Sequence, residues 1–156
     1  MGSRRKGRIL AFQALYSWDA VQNKKTSGAE NSIPEGLLDF SWVPSTPDEE
    51  MSAFSRLLVS GTIENIAAVD SMIRKHLDNW ELKRLNKVDL AILRMSAYTL
   101  MFQSDMPPSI VIDEAIDISK EYGTDDSYRF VNGVLDSIRK TTELNNEKKA
   151  SDKKQQ

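Results

Sequence analysis

The sequence predicts an all-α fold, because apolar residues recur at helical spacing along most of the chain and no strand-like alternation of any length is present. Prolines, glycines and capping residues separate these apolar stretches into elements. The chain has 156 residues, with 40% hydrophobic and 28% charged residues, as is ordinary for one globular domain. We expect one compact domain of about six to seven helices over residues 1–141.

The sequence lacks the segments and motifs that several classes of protein require. No apolar run approaches the roughly 20 residues needed to cross a bilayer. Gln13, Ser17 and Asp19 interrupt the apolar stretch after the basic N-terminal residues, so we do not expect it to be a secretory signal. The absence of cysteine fits a reducing cytoplasm, and with His76 as the single histidine we expect no metal site. Phosphate-loop and nucleophile-elbow motifs are also missing. We therefore expect no enzyme activity, no catalytic residues, no cofactor and a cytoplasmic protein.

The first predicted helix covers residues 4–22 and begins within a basic arm, residues 1–8. Four cations fall in this arm although the net charge of the chain is −2: Arg4, Arg5, Lys6 and Arg8. Arginine can fork onto phosphates and stack on bases, and Tyr16 and Trp18 follow on the same helix. The acidic remainder of the chain would repel phosphates elsewhere. These features favour localised nucleic-acid binding over a merely solubilising end.

Residues 23–45 predict a long connection, because glycine, proline and small polar residues dominate it, with one helical turn near residues 37–40. A connection of this length is usually functional or disordered. The next helix is expected to continue to about residue 77, with Gly61 as a weak or closely packed point. Its start signals are an N-cap, a first-turn proline and a capping-box glutamate: Thr46, Pro47 and Glu49.

The stretch LNKVDLAILRMSAYTLMF predicts a helix that is capped by Asn86 and contacted on more than one side. Pro107 and Pro108 should end it and start the next helix. That helix carries an acidic row at i, i+4 and i+8: Asp113, Asp117 and Glu121. Both a solvated face and a docking surface for a basic protein remain open for this row.

Gly123 is expected to close that helix at the C′ position, and Thr124 or Asp125 is expected to cap the last one. The last helix carries Phe130, whose spacing predicts a core position. Residues 142–156 are almost entirely polar, so we expect a disordered tail.

Three stretches of the chain resemble the signature blocks of the NusB family of bacterial transcription antitermination factors, in the family's order. They are RRKGRILAFQALYSWD, NKVDLAILRMSAYTL and DMPPSIVIDEAIDISKEYGTDDSYRFVNGVLDSI. The resemblance implies a fold of two packed three-helix groups without enzymatic activity. It also implies binding to the boxA RNA of ribosomal RNA leader transcripts. The implied protein partner is the small-subunit ribosomal protein that acts as NusE, and the pair would join an RNA polymerase antitermination complex.

The resemblance also implies roles for individual residues. The RNA-binding positions correspond to the four cations of the arm, to two residues of the first helix and to three around the last turn: Arg4, Arg5, Lys6, Arg8, Gln13, Tyr16, Tyr122, Asp126 and Phe130. The positions that would face the ribosomal protein correspond to Asp89 and Arg94. Lys6 stands where arginine is common in the family, which keeps the charge but loses the planar fork.

Other interpretations stay open beside this one. The connection 23–45, with its Trp42, and the polar tail match no family pattern, and either a monomer or a homodimer is compatible with the resemblance. The chain could be a helical protein-interaction module without significant RNA binding. An N-terminal domain of a ribosomal RNA cytosine methyltransferase is disfavoured, because no glycine-rich turn of a cofactor-binding α/β domain occurs in the sequence.

Overall fold

A computed structural model describes residues 2–24, 33–34, 36–45, 47–78 and 81–154. Within these residues the secondary structure is entirely helical, with six α-helices and a 3-10 helix at Leu82–Arg84. The α-helices are α1 (Gly2–Lys24), α2 (Glu49–Glu64), α3 (Ile66–Lys75), α4 (Lys87–Phe102), α5 (Pro108–Tyr122) and α6 (Ser127–Lys154). The all-α prediction and the expected number of helices are confirmed.

The helices form two groups of three, α1 to α3 and α4 to α6, with α4 at the centre. Helix α4 packs against α1, α2 and α3 on one side and against α5 and α6 on the other. Because both groups contact it, every residue from Asp89 to Thr99 is buried. Asn86 caps this helix by accepting hydrogen bonds from the backbone N–H groups of Val88 and Asp89. The predicted cap and the multi-sided burial of this helix are both confirmed.

Helix α1 is buried on most of its circumference, as the wide distribution of its apolar residues predicts. Its buried side chains are Leu10, Ala11, Phe12, Ala14, Leu15 and Trp18. The strip left open contains Tyr16, Ser17 and Ala20, which are exposed, and Gln13, which is half-buried. Together with the exposed cations Arg4, Arg5 and Lys6, this narrow strip is a part of α1 that a ligand can reach.

The single helix predicted from Thr46 to residue 77 is wrong at both its start and its middle. Helix α2 begins at Glu49, and its N-cap is Asp48, whose Oδ1 accepts a 2.7 Å hydrogen bond from Met51 N. Thr46 lies outside the described residues. Aspartate is as strong a cap as threonine, and the glutamates that follow it suit the positive end of the helix.

The break between α2 and α3 falls at Asn65, which has φ −112° and ψ 22°. Its side-chain Nδ2 donates to the Gly61 carbonyl at 2.8 Å, a local bond that competes with continued helix. Gly61 itself remains helical and lies against α4, where an added Cβ would stand 2.1 Å from the Tyr98 hydroxyl oxygen. The second alternative for Gly61, close packing, is therefore the one observed.

The described part of the connection between α1 and α2 folds into hydrogen-bonded turns and not into the predicted helical turn. Leu37 and Phe40 are buried, Phe40 with a positive φ of 56°, and the exposed Trp42 lies edge-on to the Phe40 ring at 5.9 Å. The indole Nε1 donates to the Leu37 carbonyl at 3.3 Å. Two apolar side chains thus anchor this segment to the core although its composition is that of a loop.

The junction between α5 and α6 is held by Gly123, Thr124 and Ser127. Helix α5 begins at Pro108 and ends at Tyr122, as expected, but Gly123 is extended, with φ −92°. Glycine is needed there because a Cβ would lie 2.5 Å from the Ser127 hydroxyl oxygen. Helix α6 begins at Ser127, whose Oγ accepts from Thr124 N at 2.9 Å and whose N–H donates to the Thr124 carbonyl at 3.1 Å. Thr124, the first of the two predicted caps, is thus joined to the helix start as in a capping box.

Helix α6 continues to Lys154, where the sequence predicts a disordered tail from residue 142. The lysines, glutamates and alanine of this stretch have high helix propensity, and Lys140 pairs with Asp136 at 3.2 Å one turn before it. Every side chain from 143 to 152 is exposed. The stretch is therefore helical yet adds nothing to the core.

Candidate nucleic-acid interface

The four cations of the basic arm lie within α1, and the 100° turn per residue sends them in three directions. The guanidinium groups of Arg4 and Arg8 both lie over the ring of Phe54 on α2, at 5.2 and 5.3 Å from its centroid. Arg5 points to α5, where its Nε lies 3.2 Å from Glu114 and its Nη2 contacts Asp117. Lys6 is exposed and lines the same groove as Tyr122.

Arg8 is the most buried cation of the arm, with 7% of its surface exposed. Burial lowers its pKa, the charge of Glu114 opposes this shift and the charge of Arg4 adds to it. Its Nη2 also lies 3.7 Å from the sulfur of Met106. Arg8 therefore holds the α1 terminus against α2, and only part of its guanidinium can reach a ligand.

Arg5 is exposed but already paired. Its hydrogen bond to Glu114, together with the charges of Glu114 and Asp117, raises the pKa of its guanidinium. Asp117 belongs to the acidic row predicted on α5, so this row is partly used within the molecule. A phosphate that binds Arg5 must compete with these two carboxylates or neutralise part of their field.

Tyr122 ends α5 next to the open strip of α1. Its ring lies 5.2 Å from that of Phe12, with the two planes inclined by 52°, and 37% of the residue is exposed. Burial and the neighbouring Glu121 raise the pKa of its phenol. Tyr16, one helical turn after Phe12, is 45% exposed. These two partly exposed tyrosines supply ring surface on which an unstacked base can lie.

The remaining sequence-predicted RNA residues divide into two sets. Gln13 lies on the open strip of α1, and Asp126 is exposed immediately before α6. Phe130 is half-buried and packs against the core, as its spacing predicts, and it borders a pocket of about 200 Å³ together with Asp89. Trp18 is only 3% exposed and lies beneath the guanidinium of Arg94, so its ring is not available for base stacking.

Asp89 and Arg94 have separate environments on α4. Burial raises the pKa of the Asp89 carboxyl, against a hydrogen bond with Ser127, and its Oδ1 has no hydrogen-bond partner. Arg94 is 8% exposed and binds Asp70 through Nε and Nη2, at 2.9 and 3.0 Å, and Asp19 through Nη1 at 3.0 Å. Burial lowers the pKa of Arg94, but these carboxylates outweigh it and raise the pKa.

Sequence reasoning missed two contacts that shape this surface. Phe54 has helical spacing with the apolar residues of α2, which indicates a packing role alone, yet two guanidinium groups lie over its ring. Glu114 lies beside the predicted acidic row and outside its spacing, yet it is the hydrogen-bonded partner of Arg5. The basic arm and the acidic row were both visible in the sequence, but their mutual pairing depends on the packing of α1 beside α5.

The described residues also bear on membrane insertion and metal binding. No helix in the described part of the chain is long and apolar enough to span a membrane. Among the same residues, no three histidine, aspartate or glutamate side chains are grouped so that they could hold a metal ion.

Comparison with protein families gives a match to the NusB family over residues 5–140. A Treponema denticola protein named transcription antitermination protein NusB is 54% identical over 138 residues, covering 87% of this chain and 95% of that protein. A Borreliella burgdorferi protein of the same name is 42% identical and covers 91% of this chain and 97% of its own length.

Solved structures agree in fold. T. maritima NusB superposes with a TM-score of 0.73 at 36% identity, covering 88% of this chain and 90% of that one. A chain from a crystal structure of antitermination factors NusB and NusE in complex with dsRNA gives 0.73 at 27% identity, covering 90% and 98%. The fold and these relatives define a helical protein of the transcription antitermination class. Within that class, the chain belongs to the NusB family.

Proposed function

We propose that this protein is a transcription antitermination factor that binds boxA RNA of ribosomal RNA leader transcripts. It acts together with the small-subunit ribosomal protein in the NusE role, within an RNA polymerase antitermination complex. It acts by binding in the cytoplasm and catalyses no reaction. Family membership and the relative solved with NusE and dsRNA support this proposal.

The observation that carries the RNA-binding role is the surface around the start of α1. Exposed Lys6, the open strip with Gln13 and Tyr16, and the half-exposed ring of Tyr122 lie together on this side of the molecule. A cation flanked by aromatic rings is suited to single-stranded RNA, where phosphates are neutralised and bases stack. The proposed RNA-binding residues are Arg4, Arg5, Lys6, Arg8, Gln13, Tyr16, Tyr122, Asp126 and Phe130.

Different members of this set have different parts in the proposal. Lys6, Gln13, Tyr16 and Tyr122 contact RNA directly, whereas Arg8 positions the start of α1 through Phe54. Arg4 and Arg5 are exposed and contribute attraction for phosphates at the edge of the surface.

Asp89 and Arg94 are the proposed partner-binding residues. Asp89 lines the small pocket at Phe130, so its carboxyl group is the proposed acceptor for a donor of a basic partner that enters this pocket. Arg94 acts indirectly, because its pairs with Asp19 and Asp70 fix α4 relative to α1 and α3.

The test is a titration of labelled boxA RNA against the protein, with and without the NusE-type ribosomal protein, at two salt concentrations and beside a scrambled RNA. We expect boxA RNA to bind more tightly than the scrambled RNA and the difference to grow when the ribosomal protein is added. Equal affinity for both RNAs in the presence of the ribosomal protein would contradict the proposal.

A matched pair of variants locates the surface. Lys6→Ala and Lys75→Ala each remove one exposed lysine, but Lys75 ends α3, away from the proposed face. Removal of one phosphate contact should weaken binding to all RNAs and reduce the magnitude of the salt slope by about one. We expect this for Lys6→Ala alone. The same loss for Lys75→Ala would mean that net charge, and not a defined face, governs binding.

A further inference from the structure

A groove lies beside the proposed RNA face, between the first half of α1, the end of the α1–α2 connection and the start of α2. Its volume is about 560 Å³, and its walls include Lys6, Ile9, Val43, Asp48, Met51 and Tyr122. Lys6 and Tyr122 belong to the proposed RNA face as well. The wall opposite them comes from residues 43–51, for which the family resemblance assigns no role.

We propose that this groove holds one unpaired nucleotide of the bound RNA, with its phosphate at Lys6 and its base against Tyr122 and the apolar wall of Ile9, Val43 and Met51. This inference rests on the proposed function, because it concerns a nucleotide of the same RNA. It adds a base-recognition subsite built by a segment outside the basic arm.

Size and shape favour this occupant. A volume of 560 Å³ lies within the range of about 300 to 1,000 Å³ found for pockets that enclose small ligands. The groove is open to solvent, and its α1 residues Lys6 and Ile9 precede Gln13 of the open strip by two helical turns and one. A single strand that follows this strip can turn one base inward without leaving the surface, as sequence-specific RNA-binding proteins commonly require.

The charges in the groove set the direction of the nucleotide. Lys6 is its cation, whereas Asp48, Glu49 and Glu50 concentrate negative charge at the start of α2. A phosphate is therefore attracted to the Lys6 end and repelled from the α2 end. The base must occupy the side near Asp48.

Asp48 also gives the groove a means of selecting the base. Its Oδ1 accepts the capping bond from Met51 N, but an ionised carboxylate offers about four acceptor sites. The free acceptors can bind the amino group of a base, as carboxylates do with the cytosine amino group. Uracil has no amino group, and its one ring N–H lies between two carbonyl oxygens that the carboxylate repels. The subsite should therefore prefer adenine, guanine or cytosine to uracil.

The experiment uses the full chain with the NusE-type ribosomal protein and a synthetic single-stranded boxA RNA. Each nucleotide is replaced in turn by an abasic one, and the sensitive position is then filled with uracil. We expect removal of one base to weaken binding by about 5-fold to 100-fold, the range that base stacking gives. Uracil at that position should restore only part of the loss.

Asp48→Asn and Glu49→Gln form the matched pair for the base preference. Asparagine caps a helix as well as aspartate does, so the fold should persist, while its amide both donates and accepts. Glu49→Gln removes the same charge from a side chain that is exposed and pairs with Arg56 at 3.1 Å. We expect Asp48→Asn to abolish the discrimination against uracil and Glu49→Gln to retain it.

Two results would overturn the inference. One is an RNA in which no single abasic replacement weakens binding by more than about 2-fold, well below the cost of losing a stacked base. The other is equal discrimination by Asp48→Asn, Glu49→Gln and the unaltered protein. In both cases boxA RNA would still bind better than scrambled RNA, so the proposed function would stand. Equal binding of intact boxA and scrambled RNA would remove the function and the subsite together.

Discussion

The guanidinium of Arg94 joins two helices to α4 through groups that water barely reaches. It forms two hydrogen bonds to Asp70 of α3 and one to Asp19 of α1, and it lies over the ring of Trp18 at 5.7 Å. Lys87 adds a longer contact to Asp19 at 3.8 Å. A buried ion pair adds little stability compared with an apolar replacement of the whole pair. Removing one partner is costly, however, because the other charge then stays buried without compensation for its desolvation.

Arg94→Lys should therefore destabilise the protein although it conserves the charge. Lysine cannot make the paired hydrogen bonds to Asp70, so we expect a loss of about 2 to 3 kcal/mol, as for charged hydrogen bonds broken in the interior. Urea unfolding measures this loss. Arg56→Lys is the control, because Arg56 pairs with the highly exposed Glu49 and should change stability by less than about 0.5 kcal/mol.

The same variant separates a structural role for Arg94 from direct partner contact. If Arg94 acts through α4, Arg94→Lys should bind the NusE-type ribosomal protein normally under conditions where it is fully folded. Full stability together with weakened partner binding would instead identify a direct contact.

His76 is the only histidine and follows α3 as its C-cap, where its Nε2 lies 3.1 Å from Thr141 Oγ1 on α6. Burial and the charge of Lys75 lower its pKa below the ordinary value of 6.5. At a pH between the lower pKa of the folded state and the pKa of 6.5 in the unfolded state, the unfolded chain binds more protons. The contribution of His76 to the free energy of unfolding is therefore lost as the pH falls below 6.5. The imidazole thus links the end of α3 to α6.

His76→Gln should remove this part of the pH dependence, because glutamine does not titrate. We expect the unaltered protein to lose more stability than His76→Gln between pH 7.5 and pH 5, as measured by urea unfolding. An NMR titration of the single imidazole checks the cause directly, and a folded-state pKa above 6.5 would refute it.

At the scale of elements, α1 shows how the position of a helix decides what its charges do. Four cations that are adjacent in sequence point to Phe54, to the α5 carboxylates and to solvent, because the helix is rigid and packed. Arg5 is held by carboxylates, Arg4 and Arg8 lie over the ring of Phe54, and Lys6 is exposed at the groove that Tyr122 also lines. A flexible arm could bring all four to one phosphate group, whereas this helix presents them as a spread field.

The contact between α2 and α4 depends on the absence of a side chain at Gly61. An alanine Cβ there would stand 2.1 Å from the Tyr98 hydroxyl oxygen and 2.2 Å from Cζ, and the Tyr98 hydroxyl also accepts a hydrogen bond from Gln103. Since Tyr98 is buried, it cannot move aside without disturbing its neighbours.

Gly61→Ala should therefore destabilise the protein by about 1 to 3 kcal/mol, the cost of overpacking, despite the better helix propensity of alanine. Gly133→Ala is the matched control, because it also lies within a helix and its Cβ would meet open space. We expect that variant to gain about 0.5 to 1 kcal/mol. Thermal unfolding of both variants checks the pair, and a neutral Gly61→Ala would show that α2 and α4 can separate without cost.

For the molecule as a whole, the sequence predicted what depends on local chemistry and missed what depends on packing. The helical class, the Asn86 cap and the Pro108 start follow from nearest neighbours and were predicted correctly. The start of α2 depends on which of two candidate residues, Thr46 or Asp48, caps the helix. Its end at Asn65 depends on a side-chain hydrogen bond. The spacing of apolar residues decides neither. In the candidate site, Tyr16 and Tyr122 were identified through the resemblance, whereas the groove by Asp48 required the fold of the connection.

The last part of α6 separates the helical body from an appendage. Residues 143–152 are exposed, so their helix lacks the tertiary contacts that stabilise most protein helices. Ending the chain after Glu143 should change the free energy of unfolding by less than about 0.5 kcal/mol, as is usual for surface changes. Ending it after Asp136 removes the buried Ile138 and should cost about 2 to 5 kcal/mol, as for loss of a core side chain.

RNA binding by the chain that ends after Glu143 shows whether the end of α6 belongs to the RNA site. The residues removed after Glu143 carry four lysines against two acidic side chains, so their loss can weaken RNA binding only through general attraction. Any such loss should disappear at high salt and be equal for boxA and scrambled RNA. A loss of boxA discrimination that persists at high salt would place part of the RNA site on the end of α6 and extend the binding domain beyond residue 141.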